Sequence, residues 1–99
     1  MEIEKLIKLL KDNKELNVGV RLGILLGLYY TRSAWFKELL EATRLNKAEL
    51  YQHLKVLSKS GYIEMKYIPT VEGKRLKVFI TKKGDEVVKE VIGLLKEEK

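Results

Sequence analysis

Few side chains in this sequence could do chemistry, and their types restrict what that chemistry can be. The 99 residues include no cysteine and one histidine, His53. Thiolate catalysis, disulfides and a multi-histidine metal site within one chain are therefore excluded. No group of carboxylates and no phosphate loop stands out. Gly19, Gly23 and Gly27 recur as G-x-x-x-G, which is not the dinucleotide fingerprint. No nucleophile and no acid–base set can be assembled, so the sequence predicts a non-enzyme that needs no cofactor and no metal. What remains is cationic and amide chemistry. Arg44, Asn46, Lys47, Gln52, Lys55 and Lys59 fall in one stretch, and Lys74, Arg75 and Lys77 in the next. Ammonium and guanidinium groups pair with phosphate, and a carboxamide can bond adenine through two atoms at once. The chemistry on offer is non-covalent recognition of a polyanion.

The charge distribution supports this. The formal net charge is +6 and the isoelectric point near 9.5. Residues 1–15 are balanced at four basic and four acidic. Residues 44–60 carry four basic against one acidic, 64–83 six against two, and 84–99 three against five. The excess is central, so nucleic acid is the first expected partner and an acidic membrane surface the second. The longest apolar run, Leu22–Tyr30, is interrupted by glycine and too short to span a bilayer. No segment reads as a signal peptide. A cytoplasmic protein with no membrane partner is expected.

The elements that must position these residues follow from periodicity. Ile3, Leu6, Ile7 and Leu10 are spaced as in an amphipathic helix over residues 2–12. Asn17 can cap a second helix, Val18 to about Tyr30. Thr31 and Arg32 read as a short extended piece. Ser33 reads as the cap of a third helix holding Trp35, Phe36, Leu39 and Leu40, with a turn over Ala42–Leu45. Asn46 caps a fourth helix, Lys47–Ser60, with Leu50, Leu54 and Leu57 on one face and Gly61 in the left-handed position beyond it. The period then changes to two over Tyr62–Ile68 and again over Arg75–Thr81, with a loop marked by Pro69, Thr70 and Gly73. Thr81 caps a last helix through Val87, Val88, Val91, Ile92 and Leu95 to about Glu97. The glycines Gly19, Gly23 and Gly27 share one helix face, so a second helix is expected to cross them closely.

Helix, short turn, helix and two-stranded hairpin follow in the order of a winged helix-turn-helix. The resemblance is specific in two places. Leu50-Tyr51-Gln52-His53-Leu54-Lys55-Val56-Leu57 with Ser60-Gly61-Tyr62-Ile63 resembles the recognition helix and first wing strand of ArsR- and MarR-type winged-helix regulators. Ile80-Thr81-Lys82-Lys83-Gly84 resembles the strand and Thr-x-x-Gly that lead into their last helix. The likeness covers about residues 18–95. It implies a transcriptional regulator acting as a homodimer on a pseudo-palindromic site. The chain departs from the metal-sensing members, whose cysteine and histidine ligands have no counterpart here.

The expected fold class is α+β, mostly α: one winged-helix domain over 1–99 with extra terminal helices. Residues 1–13 and 82–97 are expected to dimerise, 34–60 to form the helix-turn-helix and 62–81 the wing. With the leucines of the fourth helix inward, Ala48, Gln52, Lys55 and Lys59 point outward, flanked by Tyr51 and Val56. Gln52 suits adenine in the major groove and Ala48 a thymine methyl. Arg44, Lys55 and Lys59 suit phosphates. Asn46 and Lys47 meet a phosphate or base edge at the positive end of the helix dipole. Tyr51 either contacts phosphate or covers the helix flank. Lys74, Arg75 and Lys77 are placed at or near the wing tip, within reach of a flanking groove or backbone. His53 reads as a partly buried packing residue, and Trp35 and Phe36 as core. Ile3, Leu6, Ile7, Leu10, Val88, Val91, Ile92 and Leu95 form apolar stripes whose simplest partner is a second copy. The competing function is a winged-helix protein-interaction or non-specific DNA-architectural module.

Overall fold

Apolar residues at helical spacing set the first long element. The structure, a computed structural model, describes residues 4, 7–9, 12–13 and 19–96. Helix α1 (Gly19–Thr31) buries Ile24, Leu25 and Leu28 on one side. There follow β1 (Ser33–Trp35), α2 (Phe36–Thr43), α3 (Lys47–Lys59), β2 (Ile63–Thr70), β3 (Gly73–Ile80) and α4 (Lys82–Lys96). Ahead of α1, residues 4, 7–9 and 12 are helical. The class is as expected, mostly helical with a small antiparallel sheet. Among the described residues no helix is long and apolar enough to cross a membrane.

The helix-turn-helix is built by caps and leucines. Asn46 Oδ1 accepts the Glu49 N–H at 2.8 Å, and Glu49 Oε1 accepts the Asn46 N–H at 3.3 Å. This reciprocal box stabilises the start of α3 by about 1 kcal/mol. Leu50, Leu54 and Leu57 then enter the core with no exposed surface, beside partly buried Leu40 and Leu45 and buried Leu39. The helix ends at Ser60, and Gly61 takes the left-handed conformation at φ +85°. Helix α2 ends at Arg44, also left-handed at φ +59°, whose N–H donates to the Leu40 carbonyl at 3.0 Å.

The start of α2 differs from expectation. Ser33 is not its cap; it lies in β1, and Trp35 precedes the first turn. Trp35 has no side-chain oxygen to offer, and Glu38 Oε1 instead accepts its N–H at 2.8 Å. The cause is non-local. Ser33, Ala34 and Trp35 pair with Phe79, Val78 and Lys77 of β3, and the sheet order is β1-β3-β2. That ladder holds the three residues extended and delays the helix.

The wing is longer than its apolar alternation indicates. Strands β2 and β3 pair from Ile63↔Ile80 to Thr70↔Gly73, leaving a turn of only Val71 and Glu72. Gly73 has φ +112°, a backbone conformation that side chains rarely adopt. Pro69 is tolerated because β2 is an edge strand.

A seam joins the wing's base to α4. Thr81 Oγ1 accepts the Gly84 N–H at 3.1 Å and donates to the Gly61 carbonyl at 2.6 Å. Lys83 Nζ donates to the Ser60 carbonyl at 2.7 Å and lies over the Tyr62 ring. A Cβ on Gly84 would overlap the Tyr62 carbonyl oxygen and sit 2.9 Å from Ile80 Cγ1. The Thr-x-x-Gly pattern is thus a packing requirement: the helix starts directly against the backbone. Nearby, Arg32 caps α1 in a left-handed conformation and reaches Asp85 Oδ1 at 2.7 Å. The Arg32 guanidinium, with Lys89 at 3.1 Å, holds the Asp85 carboxyl below its ordinary range.

Two expectations are corrected. Among the described residues no helix crosses the glycines of α1 closely: Gly19, Gly23 and Gly27 are exposed, and a Cβ on any of them meets none of these residues within 4 Å. Gly23 and Gly27 instead line a shallow groove with Leu39 and Ala42. The apolar stripe of α4 is also divided. Val88 is fully buried in the chain's own core and Val91 is buried too, so neither side chain faces a partner. They sit on the side of α4 that covers the single-chain core. Ile92 is half-buried, while Leu95 and Ile7 are exposed. Ile3, Leu6 and Leu10, with Asn17, Val18 and Glu97, lie outside the described residues.

Candidate nucleic-acid interface

With its leucines inward, α3 turns the opposite side to solvent. Lys47, Ala48, Gln52, Lys55 and Lys59 are all exposed, as are Arg44 and Asn46 in the preceding turn. Tyr51 is partly exposed, and the Lys55 ammonium lies 5.8 Å from its ring centroid. Tyr51 therefore borders the face while steadying a cation. Successive outward residues occur every three or four positions and form a strip rising from Lys47 to Lys59. The side chain of Asn46 is partly committed, since its oxygen holds the Glu49 N–H. The carboxylate of Glu49 closes on the same turn, so the helix end offers an anion less than an uncapped one would. Lys47 is the open positive charge there.

His53 is half-buried on the flank of α3, where its Nδ1 accepts from Arg21 Nε at 3.1 Å. It ties α3 to α1, in keeping with a packing role.

The wing projects beside α3. Lys74 and Arg75 are exposed near its turn, and Arg75 Nη2 bonds Glu72 Oε1 at 2.9 Å. Lys77 is placed differently from expectation. It sits in the body of the sheet opposite Trp35 and Lys66, half-buried, with its ammonium 4.7 Å from the Trp35 ring centroid and 5.7 Å from that of Phe79. Lys66 lies 5.5 Å from the same Phe79 ring. Counting residues from the turn does not foresee this, because it depends on which strand pairs with β3.

Between α2, α3 and the wing lies a cleft of about 1110 Å³. Its lining includes Trp35, Phe36, Leu40, Tyr51, Tyr67 and Leu76, with Lys37, Lys47 and Arg75 among its charged groups. Lys37, Tyr67 and Leu76 are residues of this surface that sequence reasoning missed. The available signal was the Trp35-Phe36-Lys37 triplet at the start of the first helix of the pair. The arrangement offers an exposed, cation-bearing rod and a ribbon with an apolar-floored channel between them.

A family profile described as a winged helix DNA-binding domain matches residues 20–98. The chain belongs to that winged-helix family. A search of curated proteins finds no match. Among solved structures, a transcriptional regulator homologue from Pyrococcus horikoshii is similar at 28% identity and a TM-score of 0.80, covering 97% of this chain and 91% of that one. A transcriptional regulator from Thermotoga maritima is similar at 24% identity and a TM-score of 0.73, covering 98% of this chain and 66% of the other. An overoxidised AbfR bound to DNA shares the fold at 19% identity and a TM-score of 0.75, covering 93% and 65%. This winged-helix chain is a DNA-binding protein of the transcriptional-regulator kind, as its recognition-helix and Thr-x-x-Gly motifs imply.

Proposed function

We propose that this winged-helix regulator acts in the cytoplasm as a homodimer, each copy laying α3 in the major groove of duplex DNA with its wing on the flank. One observation carries the reading. Gln52, Lys55 and Lys59 stand exposed on α3 directly opposite fully buried Leu50, Leu54 and Leu57. A helix so mounted presents a carboxamide to base edges and ammonium groups to both sides of the groove. Ala48 fits against a thymine methyl, and Arg44, Asn46 and Lys47 meet the backbone at the turn. Tyr51 closes the border, and Lys74 and Arg75 meet the flank. Lys77, held over Trp35, contributes through the sheet. The strand backbone passing between the two grooves lies over the cleft, where Lys37 and Lys47 face its phosphates.

The dimer reading is supported by the exposed apolar residues of the terminal helices, Ile7 and Leu95, with Ile92 beside them. Ile3, Leu6 and Leu10 extend that stripe by sequence. Pairing there would set two recognition helices about 34 Å apart, one turn of DNA.

The test is selection of bound fragments from random duplexes, together with the mass of the free protein in solution. The expected result is a two-fold symmetric motif and a dimer mass, with affinity that falls steeply as salt rises. Gln52→Ala should lose one base preference at a cost of about 1–3 kcal/mol at its cognate site. No enriched motif and a flat salt dependence would overturn the proposal in favour of a protein-interaction module. An unaltered motif with Gln52→Ala would remove the readout role of that residue.

A further inference from the structure

We propose that the hydrogen bond from the Tyr62 hydroxyl to Asn13 fixes the offset and rotation between the two α3 helices of a dimer, so that this pair of positioning residues sets the half-site spacing the protein accepts. The inference rests on the homodimer and duplex reading above. Tyr62 stands where the N-terminal end of the chain meets its DNA-reading part. The residue is only 1% exposed, and its hydroxyl donates to Asn13 Oδ1 at 2.6 Å. Asn13 closes the helical turn ahead of α1. Its N–H and its Nδ2 both donate to the Leu9 carbonyl, at 3.1 and 2.8 Å. That turn packs Leu9 against the core and leaves Ile7, part of the proposed dimer stripe, exposed.

The backbone of the same residue joins α3 to α4. The Tyr62 N–H donates to the Leu57 carbonyl in α3 at 3.0 Å. Its own carbonyl accepts the Thr81 N–H at 3.1 Å, and Gly84 packs directly against it. Lys83 of α4 covers the ring, 4.8 Å from its centroid. One residue therefore touches the segment bearing Ile7, the helix bearing Leu95 and the end of the helix that faces DNA. Apolar packing of Leu9 is non-directional, so by itself it leaves the N-terminal segment free to rotate and slide on the core. A hydrogen bond is directional and selects one setting. The consequence for DNA is geometric. Moving one half-site by a single base pair displaces it by about 3.4 Å and turns it by about 35° around the duplex axis. A dimer whose interface segments are pinned to the reading body cannot follow that move, whereas a loosened one can.

The experiment titrates the full chain by fluorescence anisotropy against duplexes built from the motif found in the random-duplex selection. Three carry both half-sites, at the selected spacing and with one base pair inserted or removed between them. A fourth carries one half-site alone. The wild-type chain should lose about tenfold or more in affinity at either altered spacing. Tyr62→Phe keeps the ring and removes the hydroxyl; it should bind all three spacings within about threefold of one another, with the single half-site affinity and the dimer mass unchanged. Asn13→Ala breaks the same bond from the other side and should give the same profile. The double variant should add nothing to either single one, as expected of one shared contact. Wild-type spacing preference in both single variants would overturn the proposal. So would equal weakening on every duplex, the single half-site included, which is the mark of a fold merely destabilised. A wild-type dimer that ignores spacing would overturn it as well. A monomeric wild-type chain, or no enriched motif, would instead overturn the dimer and duplex reading and this inference with it.

Discussion

Two basic regions of this chain look alike as sequence and behave differently as structure. On α3, Lys47, Lys55 and Lys59 are exposed on the side away from the core. In the segment from the sheet to α4, Lys66 and Lys77 lie over Phe79, Lys77 also over Trp35, and Lys83 caps the Ser60 carbonyl over the Tyr62 ring. In the first group only Lys55 lies over a ring, that of exposed Tyr51 on the same helix, whereas every lysine named in the second lies over a ring of the sheet or of the seam below it. A local excess of lysine therefore overstates the charge that DNA can meet. Lys77 shows this most clearly: it sits on the strand that carries Lys74 and Arg75, yet the pairing of β1 with β3 places an indole beneath it.

The largest test breaks the second region at its tightest point. Gly84→Ala should destabilise the chain by about 3 kcal/mol or more, because the added methyl overlaps a backbone carbonyl that cannot yield as a side chain would. The melting temperature would report it, with a fall of more than about 10 °C in a domain of this size. A change under about 1 kcal/mol would mean that α4 can shift its start freely.

A second test sets the two lysine groups against each other. Lys55→Ala with Lys59→Ala should lower the slope of log K against log salt by about 1.8, two phosphate contacts' worth, with the melting temperature unchanged. Lys77→Met with Lys83→Met should leave that slope nearly intact and cost about 1–2 kcal/mol of stability through the lost cation–π contacts and cap. Equal slope changes for the two pairs would erase the distinction.

Arg44 sharpens the comparison from within the recognition region. Its left-handed backbone favours glycine. Arg44→Gly should raise stability by about 0.5–1 kcal/mol while weakening DNA binding. A residue that costs stability but aids binding is held for its ligand. Loss of both would show that Arg44 serves the turn itself.

The smallest effect is expected at acid pH. Asp85 is held below its ordinary carboxyl range by Arg32 first and Lys89 second. Its ionised form thus contributes stability that is fully present above the unfolded value, near 4, and lost as pH falls through the lower folded value. Asp85→Asn should melt below the wild type at pH 7, and the gap should close as the pH drops beneath about 4. A gap independent of pH would point to lost packing rather than charge.

Much of the recognition helix was legible along the chain because its determinants are local. Asn46 and Glu49 are three residues apart, Leu50, Leu54 and Leu57 repeat at helical spacing, and Gly61 follows directly. Capping and amphipathicity act over one or two turns, so periodicity locates both the helix and its outward face. The outward placement of Gln52, Lys55 and Lys59 follows from the leucines alone. The wing's alternation was legible in the same way, apart from its last turn. Ser33–Trp35 was not, because three residues carry too little pattern and their extended state is imposed by Lys77–Phe79, more than forty positions away.

By itself, the sequence determined the chemistry and the helix that displays it: no thiol, one imidazole, a central cationic block and an amphipathic rod bearing a glutamine. Tertiary structure alone decided which cations stay open, which glycine is obligatory and which apolar residues of the last helix remain outside. Those outcomes depend on side chains distant in the chain meeting in space. Gly84 meets the Tyr62 carbonyl, Lys77 meets Trp35, and Val88 meets the core while Leu95 does not. Spacing along a chain encodes the face of a helix; it does not encode what that face will touch.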